Sequence, residues 1–157
     1  MRDITVALAR RLTAAGLTVA AAESLTGGRV AAELTRRPGS SAYFRGAVVA
    51  YANEVKTDLL GVPEAVLAEY GAVSEACARA MAEGVRRRLG ADLAVATTGI
   101  AGPDGGSPAK PVGLVWLAVA GPQGVQAAEH RFTGNRREVT AAATAEALIL
   151  LARAAGV

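Results

Sequence analysis

The sequence predicts an α/β domain of three layers, a mixed β-sheet covered by helices. Three observations carry this. Short apolar runs bounded by turn residues alternate with amphipathic stretches of helical period. The runs at Thr18–Ala22 and Leu93–Thr97 are apolar but for one terminal threonine each, as strands buried on both faces are. Two strand-like runs near the carboxy terminus follow one another with only a glycine-rich turn between them, which implies a hairpin within the sheet.

The elements follow in order. Ile4, Leu8 and Leu12 recur every four residues, with Asp3, Arg10 and Arg11 elsewhere, so a helix runs to about Gly16. Thr18–Ala22 is a buried strand, and after Gly27 and Gly28 a helix begins at Val30–Leu34. Ala47–Tyr51 reads as the second strand. Asn53–Leu60 reads as a helix stopped by Gly61, and Pro63 opens another to about Tyr70. Ser74 caps the next helix, which presents Cys77, Met81, Val85 and Leu89 on one face and ends at Gly90. Leu93–Thr97 is the third strand, and Ala101–Pro111 is a loop. Val112–Val119 and Gln126–Phe132 form the hairpin through Gly121, Pro122 and Gly124. The last helix runs from about Arg136 to Ala155, with a stripe of Val139, Ala143, Ala147, Leu150 and Ala154.

Length and composition narrow the function. The 157 residues fit one domain spanning 1–157. No apolar run reaches the ~20 residues of a membrane helix, and the start lacks the apolar core of a secretory signal. No membrane association is expected. Cys77 is the one cysteine, which excludes an intramolecular disulfide and a Cys-rich zinc site, in keeping with a cytoplasmic protein. The net charge of +3 is spread over Arg36–Arg37, Arg86–Arg88 and Arg136–Arg137 without interleaved aromatics, so no nucleic-acid partner is expected. Cys77, inside an amphipathic helix, and Trp116 read as core residues. His130 is the sole histidine, so no metal site is expected.

Three segments carry candidate chemistry. Ala22–Gly28 lies between a strand end and a helix start, where α/β folds bind ligands. Ser24 and Thr26 could supply a nucleophile, an oxyanion donor or a phosphate ligand, with Gly27 and Gly28 admitting a ligand to the backbone. The plainer alternative is a capped helix after a tight turn. In the second segment, Val49–Lys56, a lysine near a serine could act as general base, and Tyr51 could donate to an oxyanion. The alternative is a surface Lys56 paired with Glu54 or Asp58. Upstream, Ser40 and Ser41 could bind substrate or simply form a turn. The third segment, Thr97–Gly106, is dense in glycine after a strand. It suggests a backbone-lined ligand loop, with Thr98 and Gly99 as candidate contacts, or else a flexible turn. Asp104 within it reads as an Asx-turn residue.

Together these stretches resemble the CinA carboxy-terminal domain family, also known as nicotinamide mononucleotide amidohydrolases. The similarity rests on AESLTGG at 22–28, PGSSAYFRGAVVAYANEVKTDLLGV at 38–62 and GAVSE at 71–75. It continues through TTGIAGPDGG at 97–106, KPVGLVW at 110–116 and FTGNRREV at 132–139. The resemblance implies a single-domain form that hydrolyses the carboxamide of nicotinamide mononucleotide to nicotinate mononucleotide and ammonia, in pyridine nucleotide salvage. It places the family's nucleophile on Ser24, its base on Lys56 and its tyrosine on Tyr51. It also assigns a phosphate-binding arginine to Arg136. Asn135 stands where the family usually has Asp, and Thr97 where many members have Ser. The expected partner is this small-molecule substrate, with no cofactor, and a homodimer through a sheet edge or the last helix is open. The competing reading is a non-catalytic, competence- or damage-associated binding module.

Overall fold

The computed structural model describes residues 2–157. Its elements are α1 (Arg2–Ala15), β1 (Val19–Glu23), α2 (Arg29–Thr35), β2 (Phe44–Val49), α3 (Asn53–Leu60), α4 (Glu64–Tyr70), α5 (Glu75–Leu89), β3 (Leu93–Gly99), β4 (Leu114–Gly121), β5 (Gly124–Arg131) and α6 (Arg136–Ala154). A short 3₁₀ turn, Ser40–Ala42, precedes β2. The order agrees with the α/β reading.

Local chemistry sets the boundaries. Ser74 Oγ accepts from the Cys77 N–H and starts α5, and Gly90, at φ 60°, stops it. Asn135 and Glu138 form a reciprocal capping box at the start of α6. Three expectations need correction. The second strand is Phe44–Val49 rather than Ala47–Tyr51. The 3₁₀ turn closes early, Tyr43 O already accepts from the Val19 N–H, and the Ala50 N–H reaches Glu23 O as the strand ends. Tyr51 therefore lies beyond the strand. The buried stripe of α6 continues through Leu148, Leu151 and Ala152 to the C-cap Ala155 instead of through Leu150 and Ala154. The hairpin sits about two residues from its expected bounds, because the Gly121–Gly124 pair closes it tightly.

The sheet has the order β2-β1-β3-β4-β5. The first three strands are parallel, while β4 and β5 run antiparallel. Alternation along the strands divides the core. Val19, Ala21, Val95, Val115 and Leu117 pack with α1, α2 and α6 on one face. On the other, Ala20, Ala22, Ala94, Ala96, Ala118 and Ala120 receive α5, with Leu60 of α3. That alanine floor lets α5 lie close to the sheet. α3 in turn lies so close to α5 that a Cβ on Gly84 would sit 1.8 Å from the Leu60 carbonyl oxygen.

The carboxyl ends of β1, β2 and β3 line up at one edge. From there the chain passes to α2 on one face and to α3 on the other, which opens a crevice between them.

Candidate active site

Ser24 extends β1 by one residue, its N–H donating to Thr97 O at 3.0 Å. By strand alternation its side chain shares the α5 face with Ala20 and Ala22. Helix side chains lean back over the preceding turn, and Lys56 does so here. Its Nζ donates to the carbonyls of Ala50 (2.8 Å) and Tyr51 (3.0 Å) and stands 3.2 Å from Ser24 Oγ. Lys56 is only 1% exposed and heads the fully buried side chains by volume. A surface lysine paired with Glu54 or Asp58 is thus ruled out, both carboxylates lying exposed. Burial penalises the ammonium and holds Lys56 below its ordinary pKa of 10.5, an effect that the neighbouring Cys77 partly opposes. Cys77 is itself fully buried, and burial raises its thiol. It lies in the first turn of α5 rather than deep inside the helix, packed in the core as expected.

The opposite side of the turn is organised by Glu23, which the sequence reading did not single out. This carboxylate is 0% exposed. Its Oε1 accepts from Thr26 Oγ1 (2.6 Å), Gly28 N–H (3.2 Å) and Val30 N–H (2.9 Å), and its Oε2 from Ala31 N–H (3.0 Å). An anion at a helix start satisfies N–H groups that would otherwise be orphaned. The only signal in the sequence was a charged residue closing an apolar run. Thr26 Oγ1 also pairs with Thr97 Oγ1 at 2.7 Å, and Thr97 Oγ1 is 3.4 Å from the Ser24 N–H. Ser24 does not cap α2, whose N-cap is Gly28 in the left-handed region at φ 96°.

Tyr51 is 58% exposed at the mouth of the crevice. Its hydroxyl accepts from Arg136 Nη2 at 2.7 Å, while Arg136 Nη1 donates to Gly102 O at 2.8 Å. Arg136 opens α6 and so joins the loop after β3 to Tyr51. Asn135 performs the cap that Asp would, its Oδ1 accepting from the Glu138 N–H at 3.0 Å. At the far end of the same loop Lys110 Nζ donates to Tyr70 O.

The other expected contacts fare differently. Ser40 and Ser41 precede β2 and lie at the opposite edge of the sheet, about one strand length (roughly 17 Å) from Ser24. The structure does not bring them to the crevice. The Thr26 hydroxyl is turned inward to Glu23 and Thr97, and Gly27 N–H donates to Ser24 O. Gly28 N–H serves Glu23. Thr98 is buried, its hydroxyl donating to Ala72 O at 2.8 Å, which ties down the start of α5. Gly99 is required by packing, since a Cβ there would meet Leu114 O at 2.7 Å. Asp104 is exposed in the loop. Among the described residues no group of three His, Cys, Asp or Glu side chains could hold a metal ion. No helix of the described residues is long and apolar enough to cross a membrane.

The chain is similar to several known proteins. It is 53% identical over 150 residues to a CinA-like protein of Geobacter sulfurreducens, covering 96% of this chain and 36% of that protein. It is 56% identical over 141 residues to one from Anaeromyxobacter sp. strain K, covering 90% and 35%. The chain thus spans about a third of the length of the curated relatives it matches. Among solved structures, a competence-damaged protein (CinA) superfamily protein of Klebsiella pneumoniae superposes with a TM-score of 0.93 at 37% identity, over 98% of this chain and 96% of that one. A competence/damage inducible protein of Agrobacterium tumefaciens does so at 0.91 with 45% identity, over 99% and 96%. The profile of the family described as CinA C-terminal domain matches residues 1–155, and the chain belongs to that family.

Proposed function

We propose that this domain is a serine amidohydrolase acting on the carboxamide of nicotinamide mononucleotide. The observation that carries the reading is a buried lysine amine 3.2 Å from a serine hydroxyl that makes no other hydrogen bond among the described residues. Two of the three contacts of Nζ are carbonyl oxygens, which accept only. A neutral amine satisfies both with its two N–H groups and turns its lone pair to Ser24. Burial favours that neutral form. The substrate class comes from the motif resemblance.

In the proposed reaction Ser24 Oγ attacks the carboxamide carbon as its proton passes to Lys56. The tetrahedral adduct collapses, and Lys56 returns the proton to the departing nitrogen, releasing ammonia. Water then gives a proton to Lys56 and attacks the acyl-Ser24 carbonyl. Nicotinate mononucleotide leaves, and Lys56 reprotonates Ser24 Oγ. Tyr51 and Arg136 line the mouth, where the guanidinium keeps further N–H groups for an anion such as the phosphate. The test is ammonia release from nicotinamide mononucleotide, nicotinamide and glutamine in parallel. Release from the mononucleotide alone is expected, and no release from it would overturn the reading.

A further inference from the structure

The acyl-transfer reading requires donors for the negative oxygen of the tetrahedral adduct, and on that reading we infer that they are the backbone N–H groups of Leu25 and Thr26. The assignment follows from accounting for each amide between Ser24 and Ala32. Ser24 N–H donates to Thr97 O, and Gly27 N–H to Ser24 O at 3.1 Å. The Gly28, Val30 and Ala31 N–H groups converge on Glu23. Arg29 N–H donates to Thr26 O at 3.0 Å and Ala32 N–H to Gly28 O at 2.9 Å. Leu25 and Thr26 alone in this stretch have N–H groups that make no hydrogen bond among the described residues.

These two amides are the ones that follow the nucleophile. The Gly27-to-Ser24 bond closes a four-residue turn, which leaves the N–H groups of its two central residues outside the ring. The N–H of the residue after a nucleophile stays within reach of any oxygen on the carbon that nucleophile attacks. Both residues are also held from behind. Leu25 is 4% exposed in the core between the sheet and α6, and Thr26, fully buried, is fixed by its bonds to Glu23 and Thr97. The donors are therefore set before substrate arrives, which is what electrostatic stabilisation of a transition state requires. Of the first N–H groups of α2, that of Arg29 goes to Thr26 O and those of Val30 and Ala31 to Glu23, so the helix start is not the oxyanion site.

The experiment replaces single peptide bonds by esters, using α-hydroxy acids incorporated in the full chain. Leucic acid at Leu25 removes that N–H and keeps the side chain, though it also weakens the Ser24 carbonyl that accepts from the Gly27 N–H. α-Hydroxyisovaleric acid at position 26 is compared with Thr26→Val, so that only the N–H differs. An ester at Ala32 is the control for loss of an ordinary helix hydrogen bond. With nicotinamide mononucleotide, each ester at 25 and 26 should lower kcat by about 10²–10³-fold, with KM changed by less than a few-fold. Turnover in both equal to that of the Ala32 ester would overturn the assignment. A wild-type protein that releases no ammonia, or an active Ser24→Ala, would instead overturn the amidase reading. A second measurement needs no variant: the structure of wild type with pyridine-3-boronic acid bound to Ser24. A boronate oxygen about 2.7–3.1 Å from both N–H groups supports the assignment, and one directed elsewhere refutes it.

Discussion

Lys56→Met separates chemistry from packing at the centre of the proposed site. Lys56→Ala would not, because it empties a fully buried position and should cost about 2–5 kcal/mol through the cavity alone. Methionine keeps an unbranched stem of similar volume and removes the amine. The Ala50 and Tyr51 carbonyls then lose a donor, at about 1–3 kcal/mol each if left unsatisfied. Against that, the cost of burying an amine disappears. The two carbonyls together cost about 2–6 kcal/mol, the released burial penalty offsets part of this, and each kcal/mol that remains moves Tm by roughly 2–4 °C for a domain of this size. Loss of the base should lower kcat/KM by about 10²–10⁴-fold. The pH dependence has a definite sign. On the proposed mechanism activity needs the neutral amine, so wild-type kcat/KM should rise with pH and level off below 10.5, the ordinary value from which burial lowers Lys56. Between that lowered pKa and 10.5 the folded state binds fewer protons than the unfolded one. Stability therefore rises with pH across the same window, and below it the burial penalty is fully present. Steady-state ammonia assays and thermal melts from pH 6 to 10 measure both. A folded Lys56→Met protein with wild-type turnover would refute the Ser24–Lys56 mechanism.

Ser24→Ala removes an oxygen whose only side-chain partner among the described residues is Lys56 Nζ, so turnover should vanish while Tm moves by a few degrees at most. Calorimetry should still detect nicotinamide mononucleotide binding to it, and an active variant would exclude the covalent route. Arg136→Ala should raise KM for the mononucleotide more than it lowers kcat and should narrow discrimination against the riboside. Equal losses for both substrates would mark Arg136 as a strut between Gly102 and Tyr51. Gly84→Ala should cost about 3 kcal/mol or more by driving α3 off α5, since its Cβ would fall 1.8 Å from Leu60 O. A denaturant midpoint unchanged from wild type would contradict that packing.

The element order was legible because helical and strand periods are strong in this alanine- and valine-rich chain. The errors lie where tertiary pairing overrides local pattern. Ala47–Tyr51 is as apolar as a strand, yet β2 begins at Phe44 because the Tyr43 carbonyl is already engaged by Val19. Apolar residues surround α6 on nearly every side, so periodicity could not choose between Leu150 and Leu151. Ser24 and Lys56 were legible only through their motifs. A lysine flanked by Glu54 and Asp58 on an eight-residue helix reads as solvated. Its burial depends on β2 lying beside β1, a contact far apart in sequence. Glu23 was unreadable for another reason. Its partners are mainly main-chain N–H groups, which leave no mark on side-chain composition. Ser40 and Ser41 misled because nearness to the site in sequence is not nearness in a parallel sheet, where a whole strand intervenes.

Glu23 also bears on where an anionic substrate group can be held. In many α/β sites the phosphate rests on the helix that follows the first strand, drawn by unpaired N–H groups and the positive end of the helix. Here that helix is α2, and the Glu23 carboxylate already occupies its entrance. A second anion there would meet a buried charge of like sign and find few free donors. On the proposed reading the two ends of the substrate must therefore separate. The carboxamide goes to the turn at Ser24, where Leu25 and Thr26 keep free N–H groups, and the phosphate goes across the crevice to Arg136. The start of α6 is suited to that task. Its capping box satisfies the first turn from within, so the guanidinium, rather than the helix end, presents the donors. Tyr51 and Gly102 each take one N–H of that guanidinium and fix its plane, leaving three of about five N–H donors for a ligand. On that reading the residue that organises the turn at Ser24 also directs the substrate's charge to the opposite wall.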